Sequence, residues 1–356
     1  MKYFKSLALS AVAALLLAAC GGGGDGNQGP RVSYTAMVSF GDSLSDVGTY
    51  AVSTIAAVGG GKYNVNGPNG KNWTELLAAQ AGAAAPCAAQ TGLNSIIPSI
   101  PAVAVTNHAG CYGYAQGGAR VTELVGPQNL ATYPASPDGA LGQLTDPIIN
   151  QIQRHLLAVG GSFSGTELVT VLGGGNDVFM NLGAVSAGLA TPTEAVTAMG
   201  QAGAELAAYI KTLIVAKGAT HVVVVNLPDV SQTPFAYGAE LQSPGIQTLI
   251  NTMVTTFNAQ LAAGLSGTNG VLLVDAYTQG RAQTANLAQY GITNATTPAC
   301  DFTRTIFASS LVCSTSTVIS GDVSHYQFAD TVHPSPYGYQ LLAQYVTQQM
   351  LVNGWL

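Results

Sequence analysis

The chain is poor in charged residues. Asp, Glu, Lys and Arg together make up 8% of its 356 residues, and the formal net charge is −6. The Lys and Arg residues form no run, so the sequence offers no basic surface for a nucleic acid, and none is expected as a partner. Apolar residues make up 47% of the chain, which allows a large core and argues against extended disorder. Beyond the N-terminus, no apolar stretch is long enough to span a membrane.

Several ligand-binding and catalytic motifs are also missing. The sequence has no CxxC pair and no histidine at ligand spacing, which argues against a metal site. Its glycine-rich stretches, including residues 59–62, do not continue into Lys-Ser or Lys-Thr as a phosphate-binding loop would. The GxSxG turn of α/β-hydrolases does not occur. We therefore expect no metal, nucleotide or organic cofactor.

The N-terminus has the pattern of an export signal. Two lysines precede an apolar stretch at residues 7–17, and residues 17–20 (Leu-Ala-Ala-Cys) resemble the bacterial lipobox. This pattern predicts a signal peptide over residues 1–19 and a lipidated Cys20 as the mature N-terminus, the alternative being an ordinary signal peptide with an incidental cysteine. Residues 20–30 then form a glycine-rich tether, and residues 31–356 form the folded domain. Glycine rather than aspartate follows Cys20, which resembles the pattern for outer-membrane sorting in Gram-negative lipoproteins. We therefore expect the protein on the outer membrane, on either of its faces, with release outside the cell as an alternative.

The other four cysteines are an even number, as expected of disulfides in an oxidising compartment. Three pairings are possible. We favour the two local ones, Cys87–Cys111 and Cys300–Cys313, because each closes a loop within an irregular stretch. These stretches, residues 83–140 and 276–329, are rich in Pro, Gly, Ser and Thr and are interpreted as insertions.

Apolar periodicity predicts an α/β fold. Short β-favouring runs alternate with longer helical patterns, an order typical of a mainly parallel sheet covered on both faces, that is, a three-layer αβα sandwich. The strands are predicted at residues 34–40, 168–172, 221–226 and 271–274. The helices are predicted at residues 73–81, 147–159, 192–217, 244–265 and 336–352.

The first strand runs directly into Gly41-Asp42-Ser43-Leu44. A serine at a sharp turn after a strand places its hydroxyl at the carboxyl edge of the sheet, where open α/β folds bind ligands. Backbone N–H groups in such a turn can stabilise an oxyanion. The four-residue string is weak evidence alone, since a serine before a helix also serves as a plain cap.

An Asp-x-x-His pair near the C-terminus offers a base for this serine. Asp330 and His333 stand just before a predicted helix, and the carboxylate can orient the imidazole towards a nucleophile. The spacing is not decisive, because Asp322 and His325 have it too. The following Pro334 and the helix favour Asp330 and His333.

Two glycine-rich turns offer oxyanion donors. The Gly118 turn can bring a backbone N–H close to a reacting carbonyl, which we expect a side chain there to obstruct. Asn176 follows the strand at 168–172, so its side-chain amide is expected at the same sheet edge as Ser43.

Together these segments resemble the GDSL/SGNH hydrolases, a family with a flavodoxin-like three-layer fold. The resemblance implies Ser43 as nucleophile, His333 as base and Asp330 as its orienter. It also implies an oxyanion hole made by the Ser43 N–H, the Gly118 N–H and the Asn176 amide. Two further segments resemble the lipase and lecithinase-like branch. The matching blocks, in family order, are residues 40–46, the Gly118 turn, 174–177 and 330–334, with 69–76 and 225–229 matching the branch.

We therefore expect a serine ester hydrolase, such as an esterase, lipase or lysophospholipase, that acts through an acyl-serine intermediate. Its partner would be a small-molecule or lipid ester, and it is expected to work as a monomer, with its lipid anchor as the link to a membrane. An acyltransferase, a carbohydrate acetylesterase and an inactive surface-binding lipoprotein remain alternatives.

Overall fold

The computed structural model describes residues 32–356, and a parallel sheet lies at its centre. In chain order the strands are β1 (Met37–Gly41), β2 (Gln90–Leu93), β3 (Val103–Asn107), β4 (Leu168–Leu172), β5 (His221–Val225) and β6 (Val271–Val274). The central sheet has the order β1–β4–β5–β6, and each neighbouring pair is parallel. β2 and β3 form a separate antiparallel pair. The predicted parallel sheet is confirmed.

Helices cover both faces of this sheet. They are α1 (Ser53–Ala56), α2 (Trp73–Gln80), α3 (Ile148–Ala158), α4 (Gly175–Ser186), α5 (Pro192–Tyr209), α6 (Pro234–Gln242), α7 (Ile246–Leu265), α8 (Ala276–Ala285) and α9 (Pro336–Val352). α5 continues through a π-helical turn (Ile210–Ile214) and a 3-10 turn (Val215–Lys217). The predicted helix over 192–217 is therefore present, but its last eight residues are not α-helical.

Alternate residues of the central strands point to opposite faces, and both sets are mainly apolar. One set packs with α3, α5 and α7, and includes Phe40, Val171 and Val224. The other packs with α2 and α9, and includes Leu172 and Val225. β1, β4 and β5 are therefore buried on both sides, which explains their largely apolar sequences. The three-layer αβα sandwich is confirmed.

The structure differs from the sequence-based prediction at several helices. α1, α4, α6 and α8 were not predicted, and neither were β2 and β3. α4 begins at Gly175, inside a glycine run that indicates a turn. α8 buries only Ala276 and Gln283, so it has little apolar periodicity, and it lies at the start of the stretch 276–329 that was interpreted as an insertion. The first strand begins at Met37 rather than at residue 34.

Two disulfides fasten the irregular stretches. Cys87 is bonded to Cys111, and Cys300 to Cys313, with Cα atoms 5.0 and 6.0 Å apart. The second bond lies close to the expected base. The Cys300 N–H donates to the carbonyl of Ala329, the residue before Asp330.

The predicted signal peptide, the lipidated Cys20 and the tether to residue 30 lie outside the described residues. From residue 32 to the C-terminus, no helix combines the length and apolarity needed to cross a bilayer.

Candidate active site

Ser43 lies in the turn that follows β1, at the carboxyl edge of the sheet. The turn starts at Gly41, where a Cβ would overlap the carbonyl oxygen of Leu172 on the neighbouring strand, so only glycine fits. Gln151 of α3 also forms hydrogen bonds with Gly41. Its Oε1 accepts the Gly41 N–H and its Nε2 donates to the Gly41 carbonyl, both at 2.8 Å. The turn that carries Ser43 is therefore fixed from two sides.

His333 joins Ser43 to Asp330 through two short hydrogen bonds. Its Nδ1 lies 2.7 Å from Asp330 Oδ2, and its Nε2 lies 2.8 Å from Ser43 Oγ. An ionised carboxylate can only accept, so Nδ1 carries the proton and Nε2 is left to accept the Ser43 O–H. This arrangement polarises the serine hydroxyl.

Asp330 is buried, and its carboxylate accepts hydrogen bonds from four donors. Besides His333 Nδ1, its oxygens accept the backbone N–H groups of Ser310 at 2.8 Å, Val332 at 2.9 Å and His333 at 2.7 Å. Burial alone would raise the pKa of Asp330, but the facing His333 and these hydrogen bonds hold the pKa below its ordinary value. The carboxylate therefore stays ionised and keeps the imidazole oriented.

The second Asp-x-x-His pair is arranged differently. His325 Nδ1 is 2.7 Å from the Gly291 carbonyl, and its ring stacks on Tyr337. Asp322 is exposed and accepts the Ser324 N–H instead. The structure thus brings Ser43 together with His333 and not with His325.

The remaining histidines are also accounted for by local packing. His108 and His221 bond to threonine hydroxyls. His155 is buried among aromatic rings that include Phe40 and Phe163, and burial lowers its pKa to about 4. Across residues 32–356, no three His, Cys, Asp or Glu side chains come together as metal ligands.

Three N–H groups near Ser43 are candidate donors to an oxyanion. Among the described residues, neither the Ser43 N–H nor the Gly118 N–H has a hydrogen-bond acceptor. Asn176 Nδ2 donates one hydrogen to the Ala119 carbonyl at 2.8 Å, which orients the amide and leaves its second hydrogen available. Gly118 and Asn176 line one cleft together with Ser43 and His333. The arrangement suits a developing oxyanion.

The reason for glycine at position 118 differs from the expected one. Its φ is +80°, a conformation that side chains rarely adopt. A Cβ would lie 2.6 Å from Thr145 Cγ2 and 2.8 Å from the Pro127 carbonyl oxygen. Packing behind the turn and backbone conformation therefore require glycine here, rather than access for the substrate.

Two buried carboxylates hold these donors in place. Asp46 accepts the N–H groups of Thr49 at 2.7 Å and Gly117 at 3.0 Å, and so links the Ser43 turn to the Gly118 turn. Asp177 accepts the Val121 N–H at 3.1 Å and pairs with Arg120 at 3.0 Å. Burial raises the pKa of both carboxyls, and these hydrogen bonds oppose the rise. These hydrogen bonds and the ion pair connect the Ser43 turn, the Gly118 turn and α4.

Two further side chains shape the surroundings of Ser43 and His333. The Tyr63 ring packs against the His333 imidazole, with the ring centres 4.7 Å apart, and so restricts its rotation. Asp42 is buried next to Ser43, and its Oδ1 accepts the Leu44 N–H at 3.0 Å. Burial raises the pKa of Asp42 to about 7, so at neutral pH this carboxyl carries only part of a negative charge.

Two spaces open from the site. The first, called the inner cavity here, has a volume of about 140 Å³ and extends from Ser43 past Leu227 to Gly280 on α8. The second, called the outer cleft, has a volume of about 900 Å³ and lies beside Gly118 and α4. Ser43, Asn176 and His333 line both.

A family model described as GDSL-like Lipase/Acylhydrolase matches residues 37–346. The match begins at the first residue of β1 and ends in α9, so it includes the whole sheet and Ser43, Gly118, Asn176, Asp330 and His333. The chain belongs to the GDSL-like lipase/acylhydrolase family. As a member of that family, it is a hydrolase of the SGNH type. A comparison with curated proteins found no match.

Sequence reasoning missed several residues that position the site of this GDSL-like hydrolase. Ser310 donates to Asp330 from a 3-10 turn in the second irregular stretch. Gln151 and Tyr63 act on Gly41 and His333 across long sequence separations. No motif marks these contacts, because the fold alone brings the partners together.

Proposed function

We propose that this GDSL-like hydrolase cleaves carboxylic esters through an acyl-serine intermediate on Ser43. The observation that supports the proposal is the hydrogen-bonded series Asp330–His333–Ser43, at 2.7 and 2.8 Å, beside three N–H groups available to an oxyanion. This is the arrangement that nucleophilic acyl transfer by a serine requires.

In the first half-reaction, Ser43 Oγ attacks the ester carbonyl carbon while its proton passes to His333 Nε2. The carbonyl oxygen becomes an oxyanion held by the Ser43 N–H, the Gly118 N–H and the Asn176 amide. The C–O bond to the alcohol then breaks, and the leaving oxygen takes the proton from Nε2. Asp330 stabilises the imidazolium that forms between these two proton transfers.

In the second half-reaction, water attacks the acyl-serine and gives its proton to His333 Nε2. A second oxyanion forms in the same place and collapses as Ser43 Oγ leaves and recovers the proton. The products are a carboxylic acid, an alcohol and the free enzyme, and no step needs a metal or an organic cofactor.

Turnover of p-nitrophenyl butyrate by wild type and Ser43→Ala tests the proposal. The wild-type protein should release p-nitrophenol and one equivalent of acid, and the variant should do neither. Nitrophenol release without acid, in the presence of an added alcohol, would indicate acyl transfer instead. No turnover by the wild type would favour the inactive binding lipoprotein.

We also propose that the enzyme is exported and anchored by a lipid on Cys20. The pattern of residues 1–20 supports this location, and so do the two disulfides, which are typical of proteins in oxidising compartments. The tether would let the enzyme reach an ester at a distance from the bilayer.

A further inference from the structure

The inner cavity and the outer cleft meet at Ser43. Because both are lined by Ser43, Asn176 and His333, they offer separate places for the acyl half and the alcohol half of an ester that reacts at Ser43 Oγ. We propose that the inner cavity holds the acyl chain and that Gly280 limits the length of chain accepted. This assignment rests on the ester hydrolysis proposed above.

The lining of the inner cavity suits a methylene chain. Leu44, Leu227, Val230 and Leu342 contribute apolar surface, and α8 adds only neutral side chains. The cavity also borders Asp229, but that carboxylate accepts hydrogen bonds from Arg281 at 2.5 Å and from Ser231 at 2.6 Å. Asp42 and the side-chain amides of Gln279 and Gln283 also border the cavity, but most of its accessible wall is apolar, which favours a methylene chain over a polar alcohol.

The volume sets a limit on the chain. An apolar cavity of about 150 Å³ binds benzene, a group of about six carbons. The inner cavity, at about 140 Å³, is close to that size. We therefore expect it to accept acyl groups up to about six carbons, and longer chains to bind less well.

The outer cleft suits the alcohol. It is several times larger, and its walls include the polar side chains of Gln128, Thr132, Ser136 and Asp138. Within the described chain, no Lys or Arg lines either space. A phosphate group would lack a cationic partner, so the substrate class is a neutral ester of a short-chain acid, with few restrictions on the alcohol.

Gly280 lies in the second turn of α8, on the wall of the inner cavity. A Cβ at this position would have no atom within 4 Å, so a larger side chain can extend into the cavity without displacing the fold. Leucine adds four carbons, which would occupy most of the space for the acyl chain. Helix propensity also favours leucine over glycine.

Two other glycines serve as matched controls. Gly183 on α4 lines the outer cleft, and Gly238 on α6 lines neither space. A Cβ at either position also meets nothing within 4 Å, so all three Gly→Leu changes should be tolerated.

The test measures kcat/KM for p-nitrophenyl acetate, butyrate, hexanoate and octanoate. In the wild type, kcat/KM should rise by up to about fourfold per methylene as far as hexanoate, since burial of each CH₂ contributes about that factor. Gly280→Leu should retain acetate turnover and lose about 50-fold or more on hexanoate. Gly238→Leu should keep the wild-type kcat/KM on all four esters. Gly183→Leu should keep only the relative dependence on acyl length, and it should lower turnover of 1-naphthyl acetate relative to ethyl acetate.

Some results would overturn the assignment and leave the ester hydrolysis standing. If Gly183→Leu, rather than Gly280→Leu, removed the dependence on acyl length, the acyl chain would lie in the outer cleft. An unchanged profile in Gly280→Leu would also contradict the proposal. Turnover that persists in Ser43→Ala would instead refute the underlying reaction, so the two failures are distinguishable.

Discussion

Replacing Asp330 with Asn should lower kcat by about 10⁴-fold. In the structure Oδ2 accepts from both His333 Nδ1 and the Ser310 N–H, while Oδ1 accepts the backbone N–H groups of Val332 and His333. An Asn side chain has one acceptor oxygen, so one of these two sets loses its acceptor. If the oxygen keeps the backbone set, the amide NH₂ faces Nδ1 and favours the tautomer protonated on Nε2, which cannot take the Ser43 proton.

The magnitude has two parts. In serine proteases the corresponding change costs about 10⁴-fold in kcat, because the imidazole is held in the wrong tautomer. The buried Ser310 N–H would lose its acceptor as well, which should lower the free energy of unfolding by about 1–3 kcal/mol. The variant should therefore fold with reduced stability and have very low activity.

The assay is kcat on p-nitrophenyl butyrate, together with circular dichroism and urea unfolding. Asp322→Asn is the matched control, because Asp322 is exposed and forms no hydrogen bond with His325. It should retain wild-type activity and stability. A crippled Asp322→Asn beside a nearly normal Asp330→Asn would refute the reasoning and make His325 the base.

Three further predictions concern an oxyanion donor, a buried histidine and the N-terminus. Asn176→Ala should lower kcat by about 10²–10³-fold yet still react with a fluorophosphonate, because the nucleophile and base remain; wild-type kcat would argue against this donor. His155 has a pKa lowered to about 4 from 6.5, so below pH 6.5 the unfolded state binds a proton that the folded state resists. The free energy of unfolding, measured with urea, should therefore fall by about 3 kcal/mol between pH 6.5 and 4. The His155→Phe variant should not show this decrease. An equal decrease in the variant would contradict the assignment to His155. Cys20→Ser should move the exported protein from the detergent phase to the aqueous phase, and unchanged partitioning would exclude the lipid anchor.

The central sheet could be predicted because its strands are buried on both faces. A short, largely apolar sequence such as 168–172 favours a buried parallel strand, and the glycines that follow it mark its end. α4 and α8 were not predicted, for two different reasons. α4 begins within a glycine run that indicates a turn, and α8 is a mostly polar helix whose inner side faces a cavity rather than a packed core.

The candidate site was predictable where chemistry lies in local sequence. Ser43, Asn176 and the Asp330–His333 pair each follow a short pattern at the end of a strand or before a helix. The supporting contacts were not predictable, since Gln151 reaches Gly41 across 110 residues. The same limit applies to Tyr63, whose packing against His333 depends on the complete fold.

The most direct test of the central claim is the site of reaction with a fluorophosphonate. Peptide mapping of the labelled wild-type protein should find one adduct, on Ser43, and Ser43→Ala should take up no label while keeping its circular dichroism spectrum. Labelling at another residue, or labelling that persists in the variant, would contradict Ser43 as the nucleophile.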